Sequence, residues 1–238
     1  MNRLFVFGCS FTHWHWITWA DIINKASTFD DYKNDGKTGA GNLYIFNKFI
    51  TRLEKAKIDK DDTVHIMWTN VTREDRFIDG GWATPGNLYS QEFYPKSFVR
   101  DYVDVRGCFE RDIPLIHATR LILDKIGCKY SFMSMVDMTN ATQYDIFDSS
   151  NQIPHLLSLY NDTLSLIKPS AHNVIFNYDY HSKPTPGYDR RVEFHPMPLE
   201  HLEFVEKTFP EVTITESVRN WVNEQQAIAL DIIREHCK

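Results

Sequence analysis

The sequence predicts an α/β protein, a parallel sheet covered by helices on both faces. Short β-rich runs alternate with longer helical patterns along most of its length, and the runs have strand and helix lengths respectively. The size agrees: 238 residues with 42% hydrophobic and 24% charged content suit one sizeable soluble domain with a full core, spanning 1–238. Folds of this kind place their ligands at the carboxyl ends of the strands.

Leu4 to Phe7 reads as the first strand, an apolar run that stops at Gly8. Leu43, Phe46, Ile50 and Leu53 recur three and four apart and predict a helix to Ala56. Thr63 to Trp68 is the second strand and Tyr130 to Met135 the third. Between them, Leu115 to Ile126 repeats the helical spacing before a stop at Gly127. Leu156 to Ile167 reads as a helix ending before Pro169, Asn173 to Asn177 as a fourth strand, and Pro198 to Phe209 as a helix ending before Pro210. Val212 to Thr215 is a weaker fifth strand. The last helix runs from about 217 to 236, with Val218, Trp221, Val222, Ile228, Ile232 and Ile233 as its apolar stripe. Residues from about 78 to 112, with Gly80, Gly81, Pro85, Gly86 and Pro95, break the alternation and read as an irregular insertion over the crevice.

A net charge of −6 argues against nucleic acid or an anionic membrane as the main partner. Four scattered cysteines without a CxxC pair, and no signal-peptide pattern, predict reduced thiols and a cytoplasmic setting. No run approaches the ~20 apolar residues of a membrane span.

Four stretches carry chemistry. Ser10 follows two residues after the first strand stops. Asn34 to Asn42 is a glycine-rich turn leading into a helix, whose amides can converge on an anion or a developing oxyanion. Asn70 stands at the end of the second strand, where its NH₂ can donate to the same oxygen. His195 precedes a helix start in Glu193-Phe-His-Pro. A serine, two oxyanion donors and a histidine are the parts acyl transfer needs, because the hydroxyl is a weak nucleophile until a base takes its proton. His13 and His15 form His-x-His with no third ligand, and no metal or cofactor is expected. Arg73-Glu-Asp-Arg76 mixes both signs and reads as a solvated face, either arginine being a minor candidate for substrate contact.

In order and spacing these residues resemble the Ser-Gly-Asn-His (SGNH, or GDSL-type) hydrolases, mostly esterases, lipases, thioesterases and carbohydrate O-deacetylases. The resemblance implies a flavodoxin-like three-layer α/β/α fold of about five strands. It implies Ser10 as nucleophile and His195 as base. Ser10, Gly39 and Asn70 would form the oxyanion hole, with Gly41 the neighbouring alternative to Gly39 and His201 the alternative to His195. The pattern departs at Cys9, where the family has Asp, and at Trp68 and Val71, where it has Gly and Asp. It departs again at Val192, where most members place the acid three residues before the histidine. Glu193 is then the orienter of the imidazole, with Asp189 as fallback. The implied activity is a serine esterase acting on a small O-acyl ester, with an acetylated carbohydrate as one such substrate. Alternatives are an O-acyltransferase using the same site, or a non-catalytic binding module on the same scaffold. Oligomeric state is not legible.

Overall fold

The apolar runs at Leu4 and Thr63 become the two central strands of a parallel sheet. The computed structural model describes residues 1–89, 93–139, 152–177 and 193–236. β1 (Arg3–Phe7) lies between β2 (Asp31–Asn34) and β3 (Thr63–Trp68), and β6 (Lys129–Ser134) continues beyond β3, giving the order β2-β1-β3-β6. Registers run from Leu4 opposite Thr63 to Phe7 opposite Ile66, and from Thr63 opposite Lys129 to Trp68 opposite Ser134. Every residue of β3 is buried, as a strand covered on both faces requires.

Right-handed crossovers put the helices on opposite faces, because the chain steps outward from β1 to β2 and then back across β1 to β3. α1 (Trp19–Ala26), α8 (Pro198–Thr208) and α9 (Glu216–His236) pack on one another. α2 (Asn42–Ala56) packs with α4 (Val105–Ile126), and α5 (Gln152–Leu159) and α6 (Asn161–Leu164) pack on α4. The sequence does not announce β2, whose four residues are polar and mostly half-buried at the sheet edge. Nor is α1 among the expected helices, although Thr18 and Asp21 form a capping box before an apolar stripe, with the Thr18 amide donating to Asp21 Oδ2 at 2.8 Å.

Several expectations are corrected. Asn173–Asn177 is not a strand: Ser170 Oγ accepts from the Asn173 amide and opens the short helix α7 (Ala171–Phe176). A five-residue apolar run does not fix a period, so the cap decided it. Val212 to Thr215 joins no ladder and leads irregularly into α9, with Val212 and Ile214 packed on the core. The fifth sheet position is held instead by Ile167, which makes one parallel bridge to Phe132. The single helix expected over Leu156–Ile167 is broken at Tyr160 into α5 and α6. The expected irregular insertion is largely regular. β4 (Arg73–Ile78) and β5 (Gly81–Asn87) form an antiparallel hairpin turning at Asp79 and Gly80, both at positive φ (50° and 77°). α3 (Lys96–Tyr102) follows, and α4 begins at Val105, capped by Asp104. Asp-Gly between two strand-compatible runs is the hairpin signal. Among the described residues no helix is long and apolar enough to cross a membrane.

A buried polar network fixes the end of β3. The Asn42 side chain accepts from the Thr69 amide at 2.8 Å and donates to Thr69 O and Asp112. Arg111 pairs with Asp112 and Glu74 and donates to the carbonyls of Val71 and Arg73. The Asn42, Arg111 and Asp112 side chains are thus all hydrogen-bonded, which is the condition for burying them. The loop after β3 is held from beneath.

Candidate active site

β1 ends at Phe7 and turns at Gly8, where a Cβ would come within 2.1 Å of Thr12 Oγ1, so only glycine closes this turn. The amides of Thr12 and His13 donate back to Cys9 O. Cys9 points into the core, its Sγ 3.6 Å from Met135 Sδ, which explains an apolar thiol at this position. Ser10 is 3% exposed, and neither its Oγ nor its backbone amide is hydrogen-bonded among the described residues.

His195 arrives on the loop before α8. Its Nδ1 lies 2.7 Å from Glu193 Oε1, and its amide donates to the same oxygen at 2.8 Å. The loop is tied to the serine loop by Trp16, whose indole N–H donates to Pro196 O at 2.8 Å. The imidazole stacks on Trp14 at 3.5 Å and on Phe194 at 4.4 Å. Burial pushes the His195 pKa below its usual value, against the opposing pull of Glu193. Burial also raises the Glu193 carboxyl, but the two hydrogen bonds from His195 outweigh it and leave it below the usual range. A neutral imidazole beside an ionised carboxylate is the state a general base needs near neutral pH.

Gly39 sits at φ 73°, and a Cβ there would lie 2.1 Å from the carbonyl oxygen of Thr84. The hairpin thus presses on this turn, reinforced by Thr84 Oγ1 donating to Thr38 O. The Gly39 amide has no acceptor among the described residues. Gly41 plays a different part, since its amide and that of Tyr44 donate to Asp75, which caps α2 from β4.

Ser10, Gly39, Glu193 and His195 line one cavity of about 510 Å³ at the carboxyl end of the sheet, walled by Trp14 and Phe194 and roofed by β5 through Pro85 to Asn87. It flanks β1, on whose two sides the chain order reverses, the expected place for a ligand in such a sheet. Asn70 is not among the lining residues. Its carboxamide oxygen accepts from the Thr72 amide and hydroxyl, as a turn-forming asparagine does, while its Nδ2 has no acceptor among the described residues. Asp189 and Val192 lie outside the described residues. His201 is a core residue on α8, its pKa pushed down to about 3 by burial. His13 bonds the carbonyl of Gly36, and among the described residues no three metal-type side chains converge.

Two further residues line the cavity. Trp14, which stacks on His195, is one. Arg73, expected on a solvated face with substrate contact as the minor alternative, is the other, while Arg76 pairs outside with Glu74.

No protein-family profile matches the chain. Nor does any curated protein match it in sequence. Among solved structures, a mutant of an acetyl-xylooligosaccharide esterase from Geobacillus stearothermophilus superposes at a TM-score of 0.50 with 13% identity, over 90% of this chain and 94% of that one. A catalytic mutant of an acetylxylan esterase from the same organism gives 0.50 with 14% identity over the same shares. The chain has the fold of these esterases. A lipolytic protein of the G-D-S-L family from Veillonella parvula also matches, at a TM-score of 0.48 with 13% identity over 88% and 99%. The α/β fold with a central parallel sheet is the one expected from the sequence, with four sheet strands and a one-residue bridge among the described residues where about five strands were expected.

Proposed function

We propose that the chain is a serine esterase that cleaves a small O-acyl ester through an acyl-Ser10 intermediate. The observation that carries this reading is the Glu193–His195 pair, bonded at 2.7 Å and facing the same cavity as an unbonded Ser10 at a strand end. Glu193 accepts from Nδ1, which leaves the Nε2 lone pair for the serine proton. Ser10 Oγ then attacks the ester carbonyl, and the proton passes to Nε2. The free amides of Ser10 and Gly39, with the Asn70 Nδ2 after a modest shift of its turn, receive the oxyanion. Collapse of the tetrahedral intermediate breaks the bond to the alcohol oxygen, which takes the proton from His195. Water, deprotonated by the same nitrogen, attacks the acyl-serine and releases the acid and the free hydroxyl. None of these steps calls on a cofactor.

Acetyl esters of carbohydrates are the substrates named for the fold's esterase relatives, and Trp14 and Phe194 on the cavity wall suit a ring-shaped alcohol. The test is p-nitrophenyl acetate turnover with fluorophosphonate labelling of the native chain, Ser10→Ala and His195→Ala. Both signals are expected in the native chain, with labelling abolished in Ser10→Ala and turnover lost in each variant. A native chain inert to both reagents would sink the esterase reading and leave a binding module.

A further inference from the structure

The cavity holds one cation that no carboxylate touches among the described residues. Arg73 lines it beside Ser10 and His195, and among the described residues no carboxylate pairs with its guanidinium. The acids nearest in sequence are already committed. Glu74 pairs with Arg76 at 3.0 Å and Arg111 at 2.8 Å, and Asp75 accepts from the Gly41 and Tyr44 amides. Glu193 gives Oε1 to both nitrogens of His195 that face it. The guanidinium is not loose, however. Nη1 donates to Ala40 O at 3.1 Å and Nη2 meets Met135 Sδ at 3.3 Å, which fixes its plane. A guanidinium has five N–H donors, so three remain unused among the described residues.

A guanidinium held in place on a cavity wall without an anionic partner suits a ligand that supplies the anion. We propose that the substrate carries a carboxylate close to its ester group, and that Arg73 receives it. This rests on the esterase reading of the same cavity. The planar fork of arginine matches a carboxylate in a bidentate fashion. A carboxylate fits better than a phosphate, because Arg73 is the one lysine or arginine among the cavity's described lining residues and so balances a single negative charge. Arg73 is thus a specificity-determining residue that binds the part of the substrate that does not react.

The proposal is tested with ester pairs that differ only in charge: 4-acetoxybenzoate against its methyl ester for a carboxylate on the alcohol side, and mono-(4-nitrophenyl) glutarate against its methyl ester for one on the acyl side. The native chain should favour the acid of at least one pair by about tenfold or more in kcat/KM. That ratio should fall towards one in Arg73→Gln and be partly kept in Arg73→Lys. Because each ratio is internal to one variant, a shift of the Ala40 loop does not mimic it. Native ratios near one for both pairs, or an undiminished ratio in Arg73→Gln, would overturn the proposal. Calorimetry of the same four compounds with Ser10→Ala separates binding from catalysis. Tighter binding of an acid than of its methyl ester, weakened by salt and lost in Ser10→Ala/Arg73→Gln, supports the anion site even if the native chain cleaves nothing, an outcome that removes only the esterase reading. Equal binding of acid and methyl ester in both pairs removes the anion site.

Discussion

The imidazole of His195 feels opposing influences, and their separation is measurable. Burial lowers its pKa, and the hydrogen bond and charge of Glu193 raise it. Only the neutral ring can take the Ser10 proton, so kcat/KM should rise with pH along an acid limb centred below the 6.5 of an ordinary histidine. Glu193→Gln removes the raising influence, so the limb should move to still lower pH. It also removes the anion that stabilises the imidazolium and fixes its tautomer, and kcat should fall by roughly 10²–10⁴. A pH–rate profile of the two proteins checks both at once. A limb that moves upward, or a kcat unchanged by the substitution, would mean that Glu193 does not orient the base. The pair is legible in the sequence because two residues on one short loop can meet without help from the rest of the fold. The stacking of Trp14 on the imidazole is not, since it joins loops about 180 residues apart.

At the scale of elements, the β4–β5 hairpin and the turn that carries Gly39 act as one unit. Thr84 abuts Gly39, Thr38 O accepts from Thr84, and Lys37 Nζ donates to Trp82 O. Gly39→Ala would place a methyl group against the Thr84 carbonyl at a positive φ. The turn or the hairpin must then move. We expect a destabilisation of about 1–3 kcal/mol and a loss of about 10²–10³ in kcat as the amide leaves the oxyanion. Urea unfolding and p-nitrophenyl acetate kinetics measure the two separately, and a variant unchanged in both would show that the turn is not clamped. Glycine at 39 is readable as a turn residue. The hairpin above it is marked in the sequence only by Asp79-Gly80, which must adopt left-handed backbone together, while the glycines and prolines that follow mask its second strand.

Across the whole molecule, the sheet buries histidines as neutral rings. His65 on β3 packs edge-on to Trp19 and Phe209, its Nδ1 has no partner among the described residues, and burial, with a smaller push from Lys168, lowers its pKa to about 3. His201 is lowered likewise, chiefly by burial. In the unfolded chain both return to the ordinary value of 6.5. Between that value and about 3 the unfolded state binds more protons, so stability is full above pH 6.5 and falls as pH drops, by about 1.4 kcal/mol per pH unit for each ring. Asp112 opposes this at lower pH. Burial raises it to about 6, so its folded carboxyl holds a proton that the unfolded one releases down to about 3.8. Urea unfolding of the native chain and His65→Phe between pH 7.5 and 5 isolates one ring. The variant's stability should depend less steeply on pH by about 1.4 kcal/mol per unit, and equal slopes would mean that His65 is not buried neutral.

Local patterns of apolar period, turn chemistry and short spacing were enough to set the alternating plan, the buried strands at Leu4 and Thr63, the serine at the end of the first and the Glu193–His195 pair. Long-range packing settled which helices share a face, that Ile167 bridges to the sheet, that β5 roofs the cavity, and that Arg73 lines it with no carboxylate partner among the described residues. Those outcomes depend on contacts between segments distant in the chain, and Glu74 and Asp75 are engaged with other partners.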